Sequence, residues 1–473
     1  MNETRLSNTN TLKPYPEYKE SGQRWLGNIP AHWALLPNRA IFFEVKDRNH
    51  DKEEMLSVTI TRGIIRQKFL LNESSKKDSS NLNKSAYKLV MQNDIAYNKM
   101  RAWQGALGAS SFQGIISPAY VVMRPKVVVN PWFFHYLYRT SFFAKEAERW
   151  SYGITSDMWS LRPEHFKIIV SVLPSLGEQT TIVRFLDHTN RKIDGFIRAK
   201  KKLIDLLNEQ KHAIIQQAVT RGLNPNVKLK PSGIPWLGQI PEDWEIRPIK
   251  QVLIQMDYGT SEASVDDGKY RVLTMGHIQN GRIVIPKKGG INRIPVGLSL
   301  KEKDLLFNRT NSPDLVGKVG IFEGPEVQQI TFASYLVRLR VRPEYNPFWL
   351  NYLLNSNYFW AFARSQAYVS LHQANLSSSR YGRMSIPIPP RLMQNLIVSK
   401  IQELSGVLDV AISRAEREIT LMQEYRARLT ADVVTGKLDV REAAARLPEV
   451  VESSDSVSDV LDSEEEIDET EGE

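Results

Sequence analysis

Residues Gln179 to Val219 read QTTIVRFLDHTNRKIDGFIRAKKKLIDLLNEQKHAIIQQAV, without a proline. Ile182, Leu186, Ile193, Ile197, Ile204, Leu207 and Ile214 recur at spacings of three, four and seven, which lines them along one side of a continuous helix. Gln394 to Val434 is a second version. Adding 215 to each of those positions gives Ile397, Ile401, Leu408, Ile412, Ile419, Met422 and Leu429, all apolar. The pattern predicts two helices of 41 residues, each roughly 60 Å long at 1.5 Å per residue. One narrow apolar stripe on so long a rod calls for a partner rod, and the other copy is at hand, giving an antiparallel coiled-coil pair.

The repeat extends outward from the rods. SGQRWLGNIPAHW from Ser21 and SGIPWLGQIPEDW from Ser232 share Gly22/Gly233, Trp25/Trp236, Leu26/Leu237, Gly27/Gly238, Ile29/Ile240, Pro30/Pro241 and Trp33/Trp244 at an offset of 211. Such a Trp/Gly/Pro cluster suits a compact buried turn, so these tryptophans are read as structural. Asp94 to Asn98 matches Asp304 to Asn308, Ala119-Tyr120 matches Ser334-Tyr335, and Asn130-Pro131 matches Asn346-Pro347. In the last pair Asn caps a helix and Pro occupies its first turn. Runs such as Tyr120 to Met123 and Tyr335 to Val341 read as strands. Ile168 to Pro174 and Met384 to Pro390 read as apolar strands that close each half before its rod.

The expected architecture is α+β: two similar globular α/β domains, separated by two long antiparallel coiled-coil helices, in an internal pseudo-twofold repeat. The expected boundaries are an arm at 1–20, a first domain at 21–176, a helix at 177–222, a second domain at 223–391, a helix at 392–438 and a C-terminal segment at 439–473. That segment includes a short helix at Val440 to Arg446 and an acidic end too poor in apolar residues to fold.

With 473 residues and 42% hydrophobic content the chain can bury more than one core. It has no cysteine, which excludes disulfides, thiolate zinc sites and thiol nucleophiles and fits a reducing compartment. The polar start and the lack of any apolar run of membrane-spanning length point to the cytoplasm. The net charge of +9 conceals an asymmetry: Glu449 to Glu473 carries 12 acidic and no basic residues, so the other 448 residues hold +21. So basic a body has the electrostatic outline of a nucleic-acid binder.

Two reading domains on paired rods form a measuring device for duplex DNA, with centres roughly one to two helical turns apart. Side chains that reach base edges must stand on scaffolded loops. The candidates in the first half are Asn98, Lys99, Arg101, Trp103 and Gln104, with Thr59, Thr61, Arg62, Tyr152 and Ser156. In the second half they are Asn308, Arg309, Thr310, Asn311, Ser312 and Lys318, with His277 and Gln279. For each one alone, an ordinary solvated loop residue is an equal reading.

These residues carry a resemblance. The W-L-G-x-I-P-x-x-W motifs at Trp25 and Trp236, the segments Lys99 to Gly108 and Asn308 to Gly320, and the helix ending Gln210 to Gly222 resemble the specificity subunits of type I restriction-modification systems, over nearly the whole chain from about Tyr15 to Arg446. The resemblance implies two target-recognition domains, each reading half of a split double-stranded DNA sequence, with the helices as spacer. It also implies assembly with two modification (methyltransferase) subunits and with restriction (endonuclease and translocase) subunits, which would carry the S-adenosylmethionine, ATP and Mg. No cofactor, metal or catalytic residue is expected in this chain, and no membrane. The acidic end is not part of the family pattern. A self-sufficient DNA-modifying enzyme and a protein-only scaffold are the alternatives. Against the enzyme, Asn130-Pro131-Trp132-Phe133 and Asn346-Pro347-Phe348-Trp349 lack the second proline of a base-holding N-P-P-[FY] element, and no phosphate-loop motif is present.

Overall fold

The computed structural model describes residues 12–73, 84–153, 159–324, 329–370 and 373–448, apart from the side chains of 71–73. The acidic end and Ser156 lie outside the described residues. The chain forms two compact units. Unit 1 holds the residues up to Arg198 and those from Ile419, and unit 2 is Ala199–Glu418.

Unit 1 is built on an antiparallel sheet in the order Phe42–Val45, Tyr120–Pro125, Ile95–Asn98, Leu107–Ala109. A hairpin, Leu56–Thr59 with Gly63–Arg66, accompanies it. Unit 2 has the same order in Leu253–Tyr258, Leu336–Val341, Leu305–Asn308 and Val319–Ile321, extended by the short strands Arg282–Ile283 and Ile278–Gln279. The central strands are buried on both faces: Ile95, Ala96 and Tyr97, like Leu305, Leu306 and Phe307, have 1% exposure or less. Continuous apolar runs of this kind are what a doubly covered sheet requires.

One ion pair with a buried carboxylate recurs at the start of the matching strands Ile95–Asn98 and Leu305–Asn308. Arg124 grips Asp94 with two bonds of 2.8 Å, and Arg340 grips Asp304 with bonds of 2.7 and 2.6 Å. These pairs correct the sequence alignment by one residue. Asn98 faces Tyr120 while Asn308 faces Leu336, so Tyr120 corresponds to Leu336 and Ala119 to Tyr335. In each half a tyrosine follows a small residue, Ala119-Tyr120 and Ser334-Tyr335, which is why the slip was invisible.

The Asn-Pro segments are helix starts. Asn130 Oδ1 accepts the Trp132 amide at 3.0 Å and Asn346 Oδ1 the Phe348 amide at 2.9 Å, ahead of helices Pro131–Tyr138 and Pro347–Leu354. The opening tryptophans are structural: Trp33 and Trp244 are fully buried, while Trp25 and Trp236 meet Phe143 and Phe359 edge-on. Before the first rod, the expected strand is present as Val170–Leu173, paired against Ala34–Pro37, and a short helix, Pro163–Ile168, started by Pro163 at its first turn, runs up to it. Its counterpart Ser385–Ile388 pairs with Glu245–Pro248.

The rods are the helices Leu176–Arg221 and Arg391–Val434. Each is tied to its domain by the glutamine near its head. Gln179 Nε2 donates to the Pro174 carbonyl and its Oε1 accepts the Asn130 amide, both at 2.8 Å. Gln394 repeats this with Pro389 and Asn346. The rods pack antiparallel, since their contacts fall in one as they rise in the other: Asp194 with Arg426 in unit 1, then Lys200 with Glu418 and Lys211 with Asp409, both at 2.6 Å, in unit 2. The predicted stripe faces inward. Ile182, Leu186, Ile193 and Ile197 are buried in unit 1, and Ile397 and Ile401 in unit 2.

Each unit also contains the tail of a rod. Leu429, Val433 and Val434 join the core of unit 1 and Ala218 and Val219 that of unit 2. Beyond the second rod, Lys13 and Asp439 form a β-bridge and Arg441–Ala445 forms a short helix. Residues from Leu429 to Ala445 therefore help to complete unit 1.

Candidate nucleic-acid interface

In unit 1 the register of the central strand decides which loops meet. Val45 faces Val122 on one side and Asn98 faces Tyr120 on the other. The chain therefore leaves the sheet at one end through Lys46, Asp47 and Arg48 from one strand and through Lys99, Met100 and Arg101 from the other. Between them Lys88, only 7% exposed, donates from Nζ to the Tyr120 carbonyl. Lys46, Arg48 and Arg101 are exposed and Lys99 is half-buried. Asn98 Oδ1 accepts the Met100 amide at 3.0 Å and shapes the loop. Burial, with Lys99, Arg48 and Lys46 nearby, pushes the Lys88 ammonium below its usual pKa.

Unit 2 places different chemistry at the same end. Tyr258 faces Val337 and Asn308 faces Leu336, so Tyr258 and Thr260 stand where Lys46 and Arg48 do, and Arg309 and Asn311 where Lys99 and Arg101 do. The Arg309 guanidinium lies 5.1 Å over the Tyr258 ring and reaches Asn375 Oδ1 at 3.3 Å. Asn375 donates in turn to Thr310 Oγ1 at 3.0 Å. Lys318 lies 5.4 Å over Trp360, with Arg364 at 4.8 Å from the same ring.

Several candidates are occupied by the fold. Asn308 ends a strand and is 1% exposed, and Thr310 lies in a short strand at 6%; neither is the loop residue that sequence suggests. Thr59 Oγ1 closes the hairpin on the Gly63 carbonyl and the Arg62 amide. His277 Nδ1 accepts the Thr274 amide at 2.8 Å, so it caps a 3-10 turn, and burial lowers its pKa. Asn311 Oδ1 accepts the amide of Ser312, and Gln279 is exposed. Trp103 meets Trp159 edge-on, its Nε1 bonded to the Met100 carbonyl.

Thr61, Arg62 and Gln104 lie elsewhere, on an open groove of about 1110 Å³ in unit 1 that His135, Arg139 and Arg426 also line. Arg139 ties the hairpin to the sheet through the carbonyls of Ile60, Thr61, Gly105 and Leu107, and burial lowers its pKa to about 10. His135 Nδ1 accepts the Ala109 amide at 3.2 Å, and burial beside Arg139 pushes its pKa well below the usual range. The unfolded chain therefore takes up a proton near pH 6.5 that the folded chain refuses, so stability is full above about 6.5 and lost as pH falls, by up to about 1.4 kcal/mol per unit. His135→Asn, which copies Asn351 of unit 2, is expected to flatten that slope in thermal unfolding between about pH 6.5 and 5. A slope unchanged by the substitution would remove His135 as its source.

Tyr152, a candidate from the sequence, has an exposed counterpart that the sequence reading did not name, Tyr368. Tyr152 is 52% exposed, with Arg162 4.9 Å over its ring; Tyr368, the matching position at the offset that relates Asn130 to Asn346, is 72% exposed. That offset was the available signal. Lys46, Arg48 and Lys88 were not among the sequence candidates, because three separate strands bring them together. Among the described residues no group of three or more His, Asp or Glu is placed to hold a metal ion, and no helix is long and apolar enough to cross a membrane.

No family model matches the chain. Among curated proteins it is similar to the type I restriction enzyme MjaVIII specificity subunit of Methanocaldococcus jannaschii, at 24% identity over 75% of this chain and 81% of that one. It is also similar to the type I restriction enzyme StySPI specificity subunit of Salmonella potsdam, at 20% identity over 92% of this chain and 95% of that one. Its fold matches a chain from a solved structure concerned with complex assembly and conformational transition of the type I R-M system. The TM-score is 0.65 at 13% identity, covering 87% of this chain and 99% of the other.

Proposed function

We infer that this chain is the specificity subunit of a type I restriction-modification system, the non-catalytic subunit that recognises the DNA target for its partner enzymes. Likeness to such subunits along nearly the full length supports it, and one structural observation carries it furthest: both units end the same strand in an asparagine followed by a cation, Asn98-Lys99 and Asn308-Arg309. Repetition of the scaffold with exchange of the displayed side chains is what two readers of different half-sites require. Each unit reads one half of a split sequence. Arg309, Asn311, Lys318 and Tyr368 act for unit 2, and Lys99, Arg101, Gln104, Tyr152, Thr61 and Arg62 for unit 1. Two modification subunits and the restriction subunits dock on the assembly, and S-adenosylmethionine, ATP and Mg belong to them. The chain works in the cytoplasm, where its DNA is.

Arg309→Ala is expected to relax discrimination within one half-site by about 1–3 kcal/mol and leave the other half intact. Sequencing the methylated sites of a host carrying the complete system measures this. A methylation pattern unchanged in both halves would show that Arg309 reads no base, and methyl transfer by the purified chain alone would end the non-catalytic assignment.

A further inference from the structure

We propose that Lys46, Arg48, Lys88, Lys99 and Arg101 form a site for backbone phosphates of DNA in unit 1, and that unit 2 has no equivalent, so that the salt-dependent share of binding is carried by unit 1. This rests on the DNA-recognition reading and adds to it a division of labour between the two units.

The cluster is a consequence of register. Two strands flanking Tyr120 leave the sheet at the same end, each delivering two cations at alternate positions, and Lys88 fills the space between them. Carboxylates nearby are already engaged: Glu44 bonds Lys167 at 3.0 Å and lies 3.7 Å from Lys46, and Asp47 bonds His50 at 2.9 Å. Among the described residues Arg48, Lys88, Lys99 and Arg101 make no ion pair. A buried ammonium has three N–H groups, and the described residues accept from Lys88 only at the Tyr120 carbonyl. Burying a cation among other cations disfavours the fold. An anion with several acceptor oxygens would satisfy both the charge and the free donors, and a phosphodiester supplies them.

Unit 2 resolves the same position differently. Its four matching residues, Tyr258, Thr260, Arg309 and Asn311, include one cation, and that one is stacked on an aromatic ring. Its own buried cation, Arg338 at 1% exposure, is held by the Asp257 carboxylate and the carbonyls of Gly297 and Ser299. The charge of Arg338 is thus matched by a carboxylate within unit 2, as that of Lys88 is not in unit 1. Contacts of this second kind are hydrogen-bonding and aromatic, which salt weakens little.

The test is a salt titration of the full chain on a random-sequence duplex, over about 50–200 mM, where each phosphate contact contributes about 0.9 to the slope of log K against log salt. The combined variant Lys46→Gln, Arg48→Gln, Lys99→Gln, Arg101→Gln is expected to lower the slope by about 2–4, and Thr260→Ala, Arg309→Gln, Asn311→Ala by about 1 or less. Lys88→Met separates function from structure: as a phosphate ligand Lys88 lowers the slope when removed while the melting temperature holds or rises. An unchanged slope in the fourfold variant overturns the site, and equal losses from the two sets overturn the asymmetry. A lower melting temperature with unchanged slope makes Lys88 a structural residue only and removes it from the site. A full chain that binds no duplex at any salt fails the DNA-recognition reading itself, a different result from binding with an unaltered slope.

Discussion

Gly436→Val is expected to unfold the unit at the beginning of the chain, although position 436 follows the last long helix. Gly436 sits at φ +79°, and a Cβ there would lie 2.3 Å from Pro30 Cδ and 3.0 Å from the Trp33 ring. A left-handed conformation costs a branched residue about 1–2 kcal/mol, and overpacking a closed core adds about 1–3. The sum, about 2–5 kcal/mol, is a large part of the stability of an ordinary domain. Gly222 has the same conformation at φ +78°, but its nearest neighbour, the Trp244 ring, is 3.4 Å from a Cβ. Gly222→Ala should therefore cost mainly the backbone share, about 1–2 kcal/mol, and in unit 2. Hydrogen exchange at Ile95–Asn98 and at Leu305–Asn308 reports the two sheets separately. Faster exchange in both sheets alike for Gly436→Val would contradict a contact confined to Pro30 and Trp33.

The same junction shows what a sequence discloses and what it withholds. Both rods were legible because one stripe recurs at a constant offset over 41 residues, and helical periodicity is local. Their ends were less so: the first begins at Leu176 and the second at Arg391, three residues ahead of the matching glutamines, because the first turn needs no core-facing residue. Trp33 and Trp244 and the Asn-Pro caps were legible for a similar reason, each being a short motif that carries its own geometry. The site was not. Lys46, Lys88 and Lys99 are neighbours only through strand register, a long-range property, and one residue of slip between Tyr120 and Tyr335 was enough to misplace a side chain to the other face. Polarity misled at Asn308 and Thr310, which look like displayed residues and are packed inside: Thr310 Oγ1 takes a hydrogen bond from Asn375, and Asn308 Oδ1 is buried without a partner among the described residues.

Removing either of the two buried carboxylates should damage one unit and spare its counterpart. Asp94, with a side chain 2% exposed, accepts two bonds from Arg124 and the Met91 amide at 2.8 Å. Asp304 does the same for Arg340 and the Lys301 amide. Alanine at either site strands a guanidinium and a backbone donor, and breaking a fully buried pair costs about 3–5 kcal/mol. The arginine side chains are 34% and 20% exposed respectively, so water recovers part of that cost, more at Arg124. Asp304→Ala is therefore expected to lose about 3–4 kcal/mol and Asp94→Ala about 2–3. The tertiary cores that include Ile95 with Tyr97 and Leu305 with Phe307 are separate clusters, so the damage should not cross between them. In a selection from randomised duplexes, Asp304→Ala should erase the preference within one half-site and Asp94→Ala within the other, each leaving its companion sequence readable. Loss of both halves from a single substitution would show that the two units recognise DNA as one cooperative body, and the assignment of one half-site to each would fail.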